Sequence, residues 1–573
     1  MCGILGIVNI NSGKDNKSVI NRIIKIQNHR GPDSNNFFEG KNFIFGHNRL
    51  SIIDLNPASN QPFIDNSGNY ILVFNGEIYN YLELKSQLQS FYEFKTSSDT
   101  EVLLAAYIKW GESCLHKLIG MFSFAIFNIK KNKFFAARDR FGVKPFYYSF
   151  KNNIFYFASE IKTLWSAGIK KEFNLKTLSN YFVYSTYGLP EETFYNNINQ
   201  LPGGYAIEYD LNTQNFKTFK WYNFEEKIYE REEKFNSLDS QLEKIFTEEY
   251  TALLSETIDY RFRADVPVGF NISGGLDSST LLALVSNKYP GNSDINAFTF
   301  YSDNPDYDEL PWVNDLISRT NFPLNKCLLN YNEIPNLIKT VAEFQDEPFG
   351  GFPTLAMSNI FKVARTKGVL VLLDGQGMDE AWAGYDYYHN NNNSLIQGVK
   401  TSAVKPEILT KDFISHSEKE MYPEPFKDKL KNLQYRDLFF TKIPRALRFN
   451  DRISMMHSTE LREPFLDHRL VELAFSLPYE LKYKNNTTKW LLREITKKYL
   501  GDKIALAPKR PLQTPQREWI SNELKKFFDE EIEKFSQNKF FIKSEVNKIW
   551  KSYLNGNNDN SFYIWQWVNF NYL

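Results

Sequence analysis

Ser273-Gly274-Gly275-Leu276-Asp277-Ser278-Ser279 is the stretch around which the chain is organised. The apolar run Val266 to Ile272 before it reads as a buried strand, and Thr280 to Val285 after it reads as the start of a helix. Strand, Gly-rich turn and helix together bare backbone N–H groups at a helix N-terminus, where the dipole favours anions. Gly274 and Gly275 let the backbone approach a phosphate oxygen closely, and Ser273, Ser278 and Ser279 add hydroxyls. Asp277 would repel phosphate unless a cation sat between them, so it reads as a Mg²⁺ ligand. The plainer alternative is a Gly-Gly turn with a serine cap. No G-x-x-x-x-G-K-[ST] loop occurs in the chain.

At 573 residues the chain is too long for one core, and two or three domains are expected. Apolar residues make up 42% and charged residues 24%, a globular composition. Lys+Arg and Asp+Glu both number 68, and the resulting zero charge argues against a nucleic-acid footprint or a polybasic membrane surface. No apolar run reaches bilayer length, and Met1-Cys2-Gly3 opens straight into a strand-like run with no signal peptide. Three cysteines in so long a chain do not make a disulfide framework, and a cytoplasmic location is expected.

Cys2 is the second landmark. Removal of Met1 would leave a thiol and a free α-amine on one residue, and an amine titrating near about 7.7 can serve as the base. The alternative is a small buried apolar residue at a strand start. Polar motifs follow it in order: Asn28-His29-Arg30-Gly31-Pro32-Asp33, then His47-Asn48-Arg49-Leu50-Ser51-Ile52-Ile53-Asp54. Asn75-Gly76-Glu77-Ile78-Tyr79-Asn80 follows a strand over 70–74, and Ser98-Asp99-Thr100-Glu101 caps a helix. Strands at 121–129, 133–138, 145–150 and 154–159 suit stacked antiparallel sheets with flanking helices. The charged run 225–234 reads as a linker, which divides the chain into domains at 1–220 and 235–573.

This first half resembles the class II glutamine amidotransferase domain, an N-terminal-nucleophile hydrolase with an αββα sandwich. The resemblance implies that Cys2 attacks the glutamine side-chain amide. It implies that Arg49 holds the substrate α-carboxylate, that Asp99 holds the α-ammonium with help from Glu77, and that Asn75 and Gly76 form the oxyanion hole. His29 and His47 are read as structural hydrogen bonders. Ala137 to Pro145 and Phe157 to Lys162 also match, and are expected where the domains meet.

The second half alternates helices with buried strands at 296–300, 325–328 and 369–373, which predicts a parallel sheet with ligands at the carboxyl ends of its strands. Phe298-Thr299-Phe300 ends one strand and is placed beside adenine. Asp374-Gly375-Gln376-Gly377-Met378-Asp379-Glu380 ends another. Asp379 reads as a second Mg²⁺ ligand beside Asp277, while Glu380 also fits an acid at a helix start. Asp308, Glu309, Asp346 and Glu347 lie near strand ends as further candidates. Ser273 to Ser279 resembles the pyrophosphate loop of ATP pyrophosphatases. Glu460 to Asp467, Thr488 to Arg493 and Lys509 to Pro515 match the same family, and Lys489 is implied to neutralise charge on the α-phosphate. Residues 390–393 read as a loop.

Over nearly its whole length the chain resembles glutamine-hydrolysing asparagine synthetases. The implied fold is the αββα sandwich followed by a Rossmann-like α/β ATP-pyrophosphatase domain with extra helices. The implied partners are ATP with Mg²⁺, glutamine and a carboxylate acceptor, aspartate first, and a homodimer is compatible with it. Ammonia freed at Cys2 would travel through a tunnel to an acyl-adenylate. Gln376 stands where the family's asparagine makers usually carry glutamate, and Asp374 where they carry serine or threonine. The acceptor therefore also admits a sugar acid, a cell-wall peptide or a natural-product precursor. A silent member kept as a scaffold is the remaining alternative.

Overall fold

The computed structural model describes residues 1–10, 16–236, 241–389, 402–507 and 513–573. The expected loop at 390–393 and residues 509–512 lie outside them. Strand Gly3–Val8 sits inside a six-stranded sheet, paired antiparallel with Phe43–Arg49 and Ile154–Ala158. Side chains alternate across a strand, and here both faces are apolar. Ile4 and Val8 enter a core between two sheets, while Leu5 and Ile7 pack with Ile20, Ile23 and Ile24 of helix Asn16–Ile26. The second sheet also has six strands and repeats the device. Ile71 and Val73 face the inter-sheet core; Leu72 and Phe74 face Val102, Leu103 and Ala106 of helix Asp99–Trp110. Phe43 stacks on Phe127 across the sheets with ring centroids 3.9 Å apart. Helix, sheet, sheet, helix is the expected αββα order.

The strand expected over 70–74 continues to Ile78, so Asn75-Gly76-Glu77 lies inside it. Pairing with Met121, Phe122 and Ser123 on the next strand carries it on. Gly76 has φ +151°, and a Cβ there would sit 2.1 Å from the Met121 carbonyl oxygen, so only glycine fits. The charged run expected as a linker is helix Phe224–Asn236. Its apolar Phe224, Ile228 and Phe235 are buried, and Tyr222 just before it donates to Glu472 at 2.9 Å. Charges on the outer face masked that stripe in the sequence.

The second half holds a five-stranded sheet in the order Leu324–Leu328, Ala297–Tyr301, Val268–Asn271, Val371–Leu373, Glu460–Arg462. Every pairing is parallel. The order reverses between Val268–Asn271 and Val371–Leu373, the place where such sheets open a ligand crevice. The loops Ser273–Ser279 and Asp374–Glu380 leave from those two strands. The fifth strand, Glu460–Arg462, was seen as a motif but not as a strand, because three residues are too short for a periodic signal.

Strand Glu460–Arg462 is also where the halves meet. The Met1 ammonium lies 2.8 Å from Glu460, and Lys144 Nζ donates to the Leu461 carbonyl at 3.3 Å. Nearby, buried Arg30 donates to the Cys2 carbonyl at 3.0 Å, to Asp451 at 2.8 Å and to Glu160 at 3.1 Å. Arg452 pairs with Glu160 at 3.1 Å and with Asp346 at 3.5 Å. Of the segments expected at this junction, Phe157 to Lys162 and Lys144 reach across it. Arg138 and Asp139 bond within their own half, Arg138 to the Lys144, Leu201 and Gly142 carbonyls and Asp139 to the Phe122, Phe141, Val143 and Lys144 N–H groups. No described helix is long and apolar enough to cross a membrane.

Candidate active sites

Cys2, Arg49, Gly76, Glu77 and Asp99 line one small cavity, with Gln61, Ser98 and Thr100 completing its polar wall. Cys2 stands at the head of Gly3–Val8 in one sheet and meets Asn75 of the other sheet. The Cys2 N–H donates to Asn75 Oδ1 at 3.0 Å, and among the described residues the buried Asn75 Nδ2 has no hydrogen-bond partner. Burial pushes the Cys2 thiol above its ordinary range, against the pull of the adjacent ammonium and of the Leu50 backbone.

Arg49 is held by oxygens that carry no full charge. It donates to the Asn56 carbonyl at 3.0 Å, to Asn60 Oδ1 at 2.8 Å, and to the Asp54 carbonyl. Among the described residues no carboxylate pairs with it. Asp99 opens its helix behind the Ser98 cap and accepts from the Ile78 N–H at 2.9 Å. Burial raises its carboxyl to about 6. Glu77 is raised well above the carboxylate range by burial, then by Glu460 and Asp99; Arg462 lies 3.6 Å from it. His47 bonds the Phe74 carbonyl at 3.1 Å, and burial pushes its ring down to about 3, so it stays neutral. His29 bonds Glu160 at 2.9 Å. Sequence reasoning missed Gln61, whose amide braces Thr100 at 3.3 Å and accepts from the Phe74 N–H at 2.6 Å. A lone glutamine in a loop carries no signal.

The second site is a cleft of about 1530 Å³ at the carboxyl ends of the parallel strands. Ser273, Gly274, Gly275, Asp277 and Ser278 line one side, and Asp374, Gly375, Gln376 and Asp379 the other. The helix after the loop starts at Leu276, one turn earlier than the apolar run suggested, so Asp277 sits in its first turn. Ser278 Oγ donates to the Ser273 carbonyl at 2.9 Å and ties the loop closed. Two expected contributors stand elsewhere. Ser279 is fully buried and gives its hydroxyl to the Gly275 carbonyl at 2.7 Å. Phe298 is fully buried in the core beneath the sheet; alternation turns Thr299 to the other face, and Thr299 and Phe300, toward the strand's carboxyl end, line the cleft.

Lys489 occupies the centre of the acidic pair. Its Nζ donates to both oxygens of Asp277 at 2.7 Å and lies 2.7 Å from Asp379 Oδ1. Burial works against its charge, but the two aspartates hold the ammonium above its ordinary range. Its backbone takes φ +55°, a left-handed conformation that costs a side-chain-bearing residue energy. Gly384 makes room for the cluster. A Cβ there would lie 2.1 Å from Asp379 Oδ1 and 2.2 Å from Lys489 Cε. The donor set fits Mg²⁺: two carboxylates already converge on one cationic centre, and phosphates and water complete such an ion's shell. Among the described residues no three His, Cys, Asp or Glu side chains converge as a metal site of their own.

Glu309 does line the cleft, near the Gly274 N–H at 3.3 Å. Asp308 instead accepts from the Leu310 N–H at 2.9 Å. Glu347 pairs with Arg448 at 2.8 Å, and Asp346 with Lys162 and Arg452, so both serve packing between the halves. Glu380 is buried at the cleft wall, raised to about 7 by burial and then by Asp379, and accepts from Tyr385 at 2.7 Å.

A glutamine amidotransferase domain model matches residues 1–222, and an asparagine synthase model matches residues 249–573. Glutamine-hydrolysing asparagine synthetase 1 of Bacillus subtilis is 29% identical, covering 99% of this chain and 95% of its own. A putative glutamine-hydrolysing asparagine synthetase 2 of Methanocaldococcus jannaschii is 34% identical over 67% of this chain and 76% of its own. An amidase of Penicillium rubens is 26% identical over 86% and 84%. With both models matched in turn and the second spanning more than half its length, the chain belongs to the family of glutamine-hydrolysing asparagine synthetases.

Proposed function

We propose that the protein transfers glutamine nitrogen to a carboxylate that it first activates with ATP. Removal of Met1 gives Cys2 its own α-amine as base, and the thiolate attacks the glutamine amide carbon. Arg49 takes the substrate α-carboxylate as a bidentate partner, and Asp99 with Glu77 takes the α-ammonium. Asn75 Nδ2 and the Gly76 N–H stabilise the developing oxyanion. Ammonia leaves, and water later releases glutamate from the thioester.

In the cleft, the Ser273–Ser278 turn holds the ATP phosphates on backbone N–H groups and hydroxyls. Asp277 and Asp379 would hold Mg²⁺, which when bound screens the phosphates and supports pyrophosphate departure. Lys489, released from its aspartates, neutralises charge on the α-phosphate while the acceptor oxygen attacks it. The activated carbonyl then accepts ammonia, giving an amide and AMP. Confinement matters because free ammonia is mostly protonated, and therefore not nucleophilic, at neutral pH.

The observation that carries this reading is the lining of the first cavity: a thiol, an arginine that has no carboxylate partner among the described residues, and two acids converge on one space, with the Asn75 amide held at the Cys2 N–H. Aspartate is the first acceptor to test, from the names of the synthetase relatives. Gln376 and Asp374 at the cleft, with the relative named an amidase, favour a different carboxylate as the second. A cytoplasmic homodimer is the setting proposed for it. The test is a screen of pyrophosphate release with ATP, glutamine and one acceptor at a time, beginning with aspartate and moving to sugar acids and peptides. One acceptor is expected to drive pyrophosphate and glutamate release together. If none raises pyrophosphate above the rate with ATP alone, the ligase reading fails.

A further inference from the structure

Strand Glu460–Arg462 touches both sites. At its start Glu460 holds the Met1 ammonium beside Cys2 at 2.8 Å. At its end the Arg462 carbonyl accepts from the Asp374 N–H at 3.0 Å, which sets the next residue, Glu463, beside Asp374 of the cleft lining. Three residues of extended chain span about 10 Å. The turn carrying Gln376 packs on the same segment, since a Cβ on Gly377 would meet Leu466 at 2.6 Å and the Phe465 carbonyl at 3.3 Å. On the ligase reading, nitrogen that follows this strand from Cys2 would reach Glu463 beside Asp374.

Glu463 is only 5% exposed, and among the described residues its Oε2 has no hydrogen-bond partner. A buried carboxylate with an empty acceptor position costs free energy and calls for an explanation. The ionisable groups that face it are Asp374, from the neighbouring strand end, and Lys144, from the glutaminase half. Burial, then Asp374, raises its carboxyl well above the ordinary range, and Lys144 opposes them. Gln376, which lines the cleft nearby, cannot accept a proton.

We infer that Glu463 is the proton acceptor for the amide-forming step, supplying the acid that position 376 lacks. This rests on the ligase reading above. Ammonia's lone pair forms the new C–N bond at the activated carbonyl, and the carbonyl π pair moves to oxygen. The nitrogen is then positively charged, and one of its protons passes to the Glu463 carboxylate. The oxygen pair re-forms the carbonyl and expels AMP with the C–O bonding electrons. Glu463 returns the proton to solvent or to the departing phosphate.

The test compares Glu463→Gln with wild type, using ammonium chloride as nitrogen source and the acceptor that the screen identifies. Acceptor-dependent ATP–pyrophosphate exchange, which reports activation alone, is expected to stay within threefold, while amide formation falls about 100-fold. With free ammonia saturating, the wild-type rate rises with pH as Glu463 ionises, and that limb flattens in the variant. Adding Gln376→Glu to Glu463→Gln is expected to recover at least tenfold. Infrared difference spectra across pH need no acceptor, and should lose one buried carboxylic-acid band in Glu463→Gln. Amide formation within threefold of wild type, an unchanged band, no recovery in the double variant, or equal loss of exchange would each overturn the assignment. Absence of exchange in wild type with every acceptor sinks the ligase reading instead, and leaves the infrared arm to judge Glu463.

Discussion

The cavity around Cys2 and the cleft around Lys489 are built on opposite electrostatic plans. In the first, the arginine and the aspartate are fixed by neutral neighbours: Arg49 by carbonyls and an amide, Asp99 by a backbone N–H. Its charges await a ligand of matching pattern, and little has to move when one arrives. In the second, the principal charges satisfy one another, with Lys489 between Asp277 and Asp379. A nucleotide has to enter that network and redistribute its partners. On the proposed reading the first site is preorganised for a small zwitterion, and the second keeps its lysine paired with two acids until its polyanion and cation come.

The largest expected effect separates the two outright. Cys2→Ala is expected to lower glutamine-dependent amide formation by on the order of 10⁴-fold or more, with ammonium-dependent formation kept. Parallel assays with the two nitrogen donors check it. Equal loss with both donors would show that the sites are not separable and would break the comparison. Asp277→Asn comes next. It removes one carboxylate from the phosphate side and leaves Lys489 a single acid. Acceptor-dependent pyrophosphate exchange is expected to fall by on the order of 10²- to 10³-fold, equally with glutamine and ammonium, while ATP-independent glutaminase is unchanged. A normal exchange rate removes Asp277 from the metal role.

These contrasts also explain what the sequence could reveal. Cys2, Arg49, Asn75-Gly76-Glu77 and Asp99 stand in contiguous polar motifs against apolar strands, so the first cavity was readable apart from Gln61 and Thr100. The parallel sheet was readable from apolar runs, except for its three-residue fifth strand. Phe298 and Ser279 were misplaced for one shared reason. A strand-end run and a serine run both look uniformly available in sequence, but strand alternation turns Phe298 into the core, and helix geometry spends Ser279 on Gly275. Lys489 was identified, but its partners were not, because Asp277 lies 212 residues away in the chain. Gly384 carried no signal at all, since close approach of side chains from two other segments is invisible without coordinates.

Gly384→Ala sharpens the claim that the Lys489 cluster is tightly packed. The added methyl would overlap Asp379 and Lys489, so a loss of about 1–3 kcal/mol of stability is expected, with weaker pyrophosphate exchange and intact glutaminase. Thermal unfolding and the two partial reactions check it. A variant indistinguishable from wild type in all three would mean the cluster yields, and that the second site is looser than its ion pairs imply.

The smallest effect probes the first site by pH. Only ionised Asp99 attracts the glutamine ammonium, and burial has raised its carboxyl to about 6. Above that pH the acid is charged and glutamine binding is insensitive to pH; below it the acid takes a proton and the attraction is lost. KM for glutamine is therefore expected to rise by about tenfold per pH unit below about 6, with ammonium-dependent amide formation supplying the control for acid effects on the cleft. Asp99→Asn should raise KM at neutral pH and remove this dependence. A KM that stays flat from pH 7 to about 5 in the wild type would remove Asp99 from the ammonium contact, whereas a limb set well above pH 6 would point to Glu77, whose carboxyl is raised well above its ordinary range. The pH at which the limb appears thus reads out which of the two buried acids the cavity has kept ready.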